Sequence, residues 1–177
     1  GCLMEGINHE AVGLAGHLGL GRLNVLWDDN GITIDGKTDL STSEDIPARY
    51  RASGWHVVSC DGHDFADIRK ALSEAEADPR PSLVACKTII GYGAPTKQGT
   101  SATHGAPLGD EEIAGTRAAL GWDHDPFVIP EDILESWRQL GEKGAAAHAE
   151  WDKRVSGHAQ AGEFQRRMAG ELPDGRA

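Results

Sequence analysis

The sequence predicts an α/β fold, a doubly wound parallel sheet flanked by helices, and three observations carry that prediction. Apolar runs near 23–27, 55–60 and 82–88 read as buried strands. Helical patterns alternate with them, the arrangement of βαβ units and a parallel sheet. The first run ends in Asp28-Asp29-Asn30-Gly31-Ile32-Thr33-Ile34-Asp35-Gly36, acids and an amide at the carboxyl end of a strand, where open α/β sheets bind ligands.

Gly1-Cys2-Leu3-Met4-Glu5-Gly6 opens a helix that runs to about Leu18. A glycine before a helix lets backbone approach an anion, and the exposed N–H groups favour negative charge. Gly1 is equally well explained as simply the first residue of the sequence. Leu23-Asn24-Val25-Leu26-Trp27 is the first strand, followed by a loop to about Leu40. Ser43-Glu44-Asp45-Ile46-Pro47 has the form of a helix start, with proline in the first turn, and that helix ends near Gly54. Trp55-His56-Val57-Val58-Ser59-Cys60 is the next strand. Asp64 caps a helix through Ala77 that places Phe65, Ile68, Ala71 and Leu72 on one face. Asp78-Pro79-Arg80-Pro81 stops it, and Ser82 to Thr88 forms a third strand.

Residues 89–108 make a long loop rich in Gly, Thr and Ser, and loops of that length in a compact domain are functional or disordered. A helix follows at about 110–119. Another begins at Pro130-Glu131-Asp132, with Ile133, Leu134, Trp137 and Leu140 at helical spacing and Gly141 and Gly144 as points of interruption. From Ala145 to about Met168 the chain is charged and alanine-rich, either one long helix or a connector.

The chain suits one domain, which at this length buries roughly 70% of its unfolded surface. A net charge of −11 argues against nonspecific binding to nucleic acid or anionic membrane. No apolar stretch approaches the ~20 residues that span a bilayer. The three cysteines, Cys2, Cys60 and Cys86, form no Cys-x-x-Cys, and reduced thiols in a cytoplasmic protein are expected.

The Asp28–Gly36 loop offers two oxygens to a small hard cation. They are the Asn30 carboxamide oxygen and the Ile32 backbone carbonyl, and such a cation completes its shell from substrate phosphates. The competing explanation is a turn, since Asn-Gly is a turn dipeptide. Gly13, Gly16, Gly19 and Gly21 do not form a dinucleotide fingerprint, because a helix precedes them where a strand is needed. An EF-hand is excluded because Ile32 stands where an acidic ligand belongs and no Glu closes the loop.

Several blocks resemble the transketolase family. They are Gly1-Cys2-Leu3-Met4-Glu5-Gly6, Ala15-Gly16-His17-Leu18, Asp28 through Gly36, Gly91-Tyr92-Gly93 and His104-Gly105-Ala106-Pro107-Leu108, in family order over roughly residues 1 to 155. The resemblance implies the domain that holds the diphosphate of thiamine diphosphate. Its cation would be Mg²⁺, or Ca²⁺ or Mn²⁺. It implies Asn30 and the Ile32 carbonyl as metal ligands, and Gly1, Asn30, Ile34 and His104 as cofactor-binding residues. His104 and Glu5 become catalytic residues, Glu5 in a hydrogen-bond network at a homodimer interface. For Ile34 the alternative is ordinary core, for Glu5 a first-turn acid favoured by the helix dipole, and for His104 a solvent-exposed loop histidine. His9, His17, His56, His63, His124, His148 and His158 lack metal-ligand spacing and are structural or surface residues.

The implied activity is transfer of a two-carbon ketol unit between sugar phosphates. Related dihydroxyacetone or deoxyxylulose phosphate synthases, and a non-catalytic binding module, are the alternatives. The family's metal-binding aspartate falls immediately before Gly1, so the chain reads as an internal fragment. Residues 1–140 would be part of the diphosphate-binding domain, incomplete at its N-terminus. Residues 141–177 would be a helical tail or linker toward a second domain.

Overall fold

The computed structural model describes residues 1–173, which divide into two compact units, the first Gly1–Asp123 and the second starting at His124. In the first unit the chain order is α1 (Gly6–Leu18), β1 (Asn24–Asp29), β2 (Ile32–Thr33), β3 (Gly36–Lys37), α2 (Ile46–Ala52), β4 (His56–Asp61), α3 (Phe65–Ala77), β5 (Ser82–Lys87) and α4 (Asp110–Ala119). The second unit holds α5 (Glu131–Ser156) and α6 (Ala161–Met168).

The main sheet is parallel, in the order β1-β5-β4. β5 sits between the other two strands, and its Ser82–Ala85 stretch is buried throughout, as a central parallel strand requires. Neighbouring residues of β5 serve opposite faces. Leu83 joins Val12, Ala15, Ile46, Tyr50 and Trp55, so α1 and α2 cover one face. Val84 joins Cys60, Ala71 and Ala75, so α3 covers the other. Helices on both faces of a parallel sheet are the doubly wound arrangement expected from the sequence.

Local chemistry sets the element ends. Asp45 caps α2 by accepting from Ala48 N–H at 2.9 Å, and Asp64 caps α3 by accepting from Ala66 N–H at 2.8 Å. α1 ends at Gly19 in a left-handed conformation (φ 61°), which closes the last carbonyls as glycine at a helix end does. Trp55 Nε1 donates to the Val12 carbonyl at 2.9 Å and meets Tyr50 edge-on at 5.0 Å, so a polar handle is satisfied inside the core.

Four expectations are corrected. The opening helix starts at Gly6, because Cys2–Met4 form a separate 3₁₀ turn and Glu5 is extended (φ −71°, ψ 141°). The stretch after β1 contains the small hairpin β2–β3 where only a loop was expected. Phe65, the first residue of α3, is 83% exposed, and Ala71 and Ala75 make the buried contacts instead. Gly141 and Gly144 do not interrupt α5. Glycine keeps its N–H, so each costs about 1 kcal/mol of helix propensity without breaking the hydrogen-bond ladder. The connector alternative for 145–168 is resolved as the end of α5 followed by α6, and the expected boundary at 140/141 falls inside α5.

Within the second unit Trp151 and Phe164 pack edge to face at 6.3 Å beside a cavity of about 360 Å³. Among the described residues no helix is long and apolar enough to cross a membrane.

Candidate functional site

The parallel strands bring their carboxyl ends to one side of the sheet, and a cleft of about 660 Å³ opens beside β1. Gly1, Asn30, Ile32 and His104 all line it, although His104 lies far along the chain from the other three. Asp28, Asp29, Asp39 and Glu44 also face it, so its rim is acidic and suits a cation. Ile34 and Glu5 are not among its lining residues.

The Asn30 loop is ordered by its own side chains. Asn30 Oδ1 accepts the Ile32 N–H at 2.9 Å, and Asn30 Nδ2 donates to Asp28 Oδ2 at 3.3 Å. Asp28 Oδ1 accepts from Thr88 Oγ1, at the end of β5. Asp29 pairs with Lys87 at 3.3 Å, one residue earlier on the same strand. Asp28 and Asp29 therefore tie the exit of β1 to the exit of β5, the neighbouring strand in the sheet. The turn explanation for Asn30 and the ligand explanation are compatible, because a carboxamide oxygen has two lone pairs and the Ile32 N–H takes one.

The hairpin decides where the Ile32 carbonyl points. Thr38 N–H donates to the Gly31 carbonyl at 3.0 Å, and Ile32 pairs with Lys37 one rung further on. Bonded and non-bonded rungs alternate in an antiparallel pair. Ile32 thus occupies a non-bonded rung, and its N–H and C=O both turn away from β3. Its N–H meets Asn30 Oδ1 on that outer side. The Asn30 amide oxygen and the Ile32 carbonyl are two hard oxygen donors on one edge of the loop, the type that Mg²⁺ or Ca²⁺ takes. The residues present therefore fit such a cation. Both donors are neutral, and among the described residues no three His, Cys, Asp or Glu side chains converge to hold a metal.

The N-terminal wall is held by Arg49 of α2, whose guanidinium donates to the Leu3 carbonyl at 3.0 Å and lies 2.9 Å from the Glu44 carboxylate. This keeps the Gly1–Met4 turn against the cleft. Glu5 follows it as the residue before α1, exposed and making no side-chain cap hydrogen bond. As the N-cap residue it stands directly ahead of the unpaired N–H groups of α1, so its carboxylate still lies where the helix dipole favours negative charge.

Ile34 sits at the hairpin tip and is 67% exposed. Within this chain Ile34 is therefore not part of the core. His104 is exposed, and its N–H closes the 3₁₀ turn Ser101–Thr103 by donating to the Ser101 carbonyl at 3.0 Å. The loop that carries it is braced at both ends. Lys97 Nζ donates to the Leu108 carbonyl at 2.6 Å, and Thr96 donates from its N–H and hydroxyl to Glu112 of α4, which holds the Glu112 carboxyl below its ordinary pKa.

A second cleft of about 690 Å³ lies at the ends of β4 and β5, lined by Cys60, Asp61, His63, Asp67 and Tyr92 among others. Its groups are engaged with one another. His63 Nε2 accepts the Ile89 N–H at 2.9 Å, its ring stacks on Tyr92 at 4.0 Å, and Asp67 accepts the Asp61 N–H at 2.8 Å. His9 is likewise engaged by Arg49, and His56 by Ser82.

The sequence did not single out Thr88 or Lys87 as parts of the site. Their partners Asp28 and Asp29 belong to a different strand, and only the parallel register of β1 on β5 joins them.

Comparison with known proteins places this architecture. A family described as "Transketolase, thiamine diphosphate binding domain" matches residues 1–173. The transketolase of Cereibacter sphaeroides is 59% identical over 155 residues, 88% of this chain and 24% of that protein. Transketolase 2 of Vibrio parahaemolyticus is 52% identical over 179 residues, 98% of this chain and 27% of that protein. Among solved structures, transketolase from Leishmania mexicana superposes with a TM-score of 0.87 at 39% identity, covering 98% of this chain and 27% of that one. The chain thus spans about a quarter of the length of these relatives.

Proposed function

This chain belongs to the transketolase thiamine-diphosphate-binding family, and from that premise we propose that it is the diphosphate-and-metal segment of a cytoplasmic, homodimeric transketolase. The whole enzyme would transfer a two-carbon ketol unit from a ketose phosphate to an aldose phosphate. The thiazolium of the bound cofactor supplies the carbanion stabilisation that this transfer needs. This chain's residues bind, orient and shield.

Asn30 Oδ1 and the Ile32 carbonyl would hold Mg²⁺ against the diphosphate. Gly1, which lacks a side chain, would admit the diphosphate to the turn ahead of α1. Ile34, exposed at the hairpin tip, would cover its apolar surface by packing on the cofactor. His104 would donate to the diphosphate and to the substrate oxygen that gains charge, a role suited to an imidazole near neutral pH. Glu5, exposed beside the same turn, would engage the cofactor's aminopyrimidine across the dimer interface.

The observation that carries this reading is the convergence of Gly1, Asn30, Ile32 and His104 on one cleft. The test is made on the complete enzyme that contains this segment. Thiamine diphosphate should bind only when Mg²⁺, Ca²⁺ or Mn²⁺ is present, and the loaded enzyme should convert a ketose phosphate and an aldose phosphate. Cofactor binding unaffected by a metal chelator would overturn the assignment of Asn30 and Ile32.

A further inference from the structure

The carboxamide of Asn30 must present its oxygen, not its nitrogen, to a cation, and the two ends differ in what they can do. An unrestrained Asn side chain on a loop flips between them. Here both ends are held: the oxygen accepts the Ile32 N–H at 2.9 Å, and the nitrogen has a fixed acceptor, Asp28 Oδ2, at 3.3 Å. Asp28 is itself held, because its other oxygen accepts the hydroxyl of Thr88. Thr88 follows the last residue of β5, the most buried strand of the sheet, and Asp28 is in β1, so the chain Thr88–Asp28–Asn30 hangs the amide from the rigid part of the fold.

We propose that Asp28 is a positioning residue for Asn30, braced by Thr88, which fixes the amide so that its oxygen faces the cleft. The proposal rests on the assignment of Asn30 as a metal ligand made above. Asp28 acts as a hydrogen-bond acceptor toward the amide nitrogen, and its charge is not the operative property. Partners that orient a metal ligand typically contribute 10–100-fold to metal affinity.

The test measures Mg²⁺-dependent thiamine diphosphate binding to the complete enzyme by calorimetry, beside the melting temperature of the apo protein. Asp28→Ala should weaken binding 10–100-fold. Asp28→Asn keeps an acceptor for the Asn30 amide and a partner for Thr88, so it should bind within about 3-fold of wild type, a margin small against that orienting effect. Thr88→Val should weaken binding by less than Asp28→Ala and supplies the same information if the latter does not fold. In an Asn30→Ala background, Asp28→Ala should cost nothing further, since coupled residues are not additive. Asp28→Asn as damaging as Asp28→Ala, or a full additional loss in the Asn30→Ala background, would overturn the proposal. If Asn30→Ala alone leaves metal-dependent binding intact, the ligand assignment itself fails; if Asn30→Ala weakens binding and Asp28→Ala does not, only the positioning role fails.

Discussion

A Cβ placed on Gly16 would stand 1.8 Å from the carbonyl oxygen of Ser53, so the end of α1 and the turn after α2 meet backbone to backbone. Gly13, one turn earlier on the same helix, faces open space. The two glycines should therefore respond with opposite signs. Gly13→Ala gains helix propensity and should stabilise by about 0.5–1 kcal/mol. Gly16→Ala must push two backbones apart and should destabilise by about 1–3 kcal/mol. Thermal melts of the two variants check this, and a shift of the same sign in both would contradict the packing.

Cys60 is buried against Ala71, Ala75 and Val84, opposite Cys86 in the register of β4 on β5. Burial first, then the hydrogen bond with Cys86, pushes its thiol up to about 11. The reactive thiolate is thus scarce in the folded protein until the pH approaches that value, and accumulates as pH rises through it. Alkylation of Cys60, read by mass spectrometry, should stay slow from pH 7 to about 9 and become fast in denaturant. Rapid labelling of native protein at pH 8 would show that this face of the sheet is open.

Much of the fold was legible because its signals are local. The Ser43–Pro47 stretch and Asp64 announced the starts of α2 and α3, and the apolar run from Ser82 announced a strand. What was not legible depended on pairing across the chain. Nothing near Ile32 says that Gly31 and Thr38 form a bonded rung, yet that rung turns the Ile32 carbonyl outward. Thr88 acquired a role only when β5 was laid beside β1. Phe65 fitted the apolar face of α3 by period, but helical period does not say which positions on that face are buried. At the site, the family blocks named His104, which spacing alone left as a loop histidine.

The two oxygens that the Asn30 loop offers a cation are neutral. The 177-residue chain by itself should therefore bind Mg²⁺–thiamine diphosphate very weakly and transfer no ketol groups. Calorimetric titration of the isolated chain checks this. Tight, metal-dependent binding would mean that the segment is sufficient on its own.

His104 stands on a loop braced by Lys97 and Glu112, so its removal should disturb little structure. In the complete enzyme His104→Ala should lower turnover on the order of 10²-fold or more, with an unchanged melting temperature, if the imidazole meets charge that develops during the reaction. Near-normal kcat and KM for the donor ketose phosphate would return His104 to a surface role.

The central claim is that Asn30 faces a cation that bridges to the diphosphate, and cofactor titration of Asn30→Ala in the complete enzyme tests it most directly. The account predicts a large loss of Mg²⁺-dependent thiamine diphosphate affinity with at most a small fall in the melting temperature of the apo protein, because the substitution removes a ligand and leaves the sheet packed. Unchanged cofactor affinity beside a large fall in melting temperature would contradict it, and would leave Asn30 as the turn residue that its bond to the Ile32 N–H also allows.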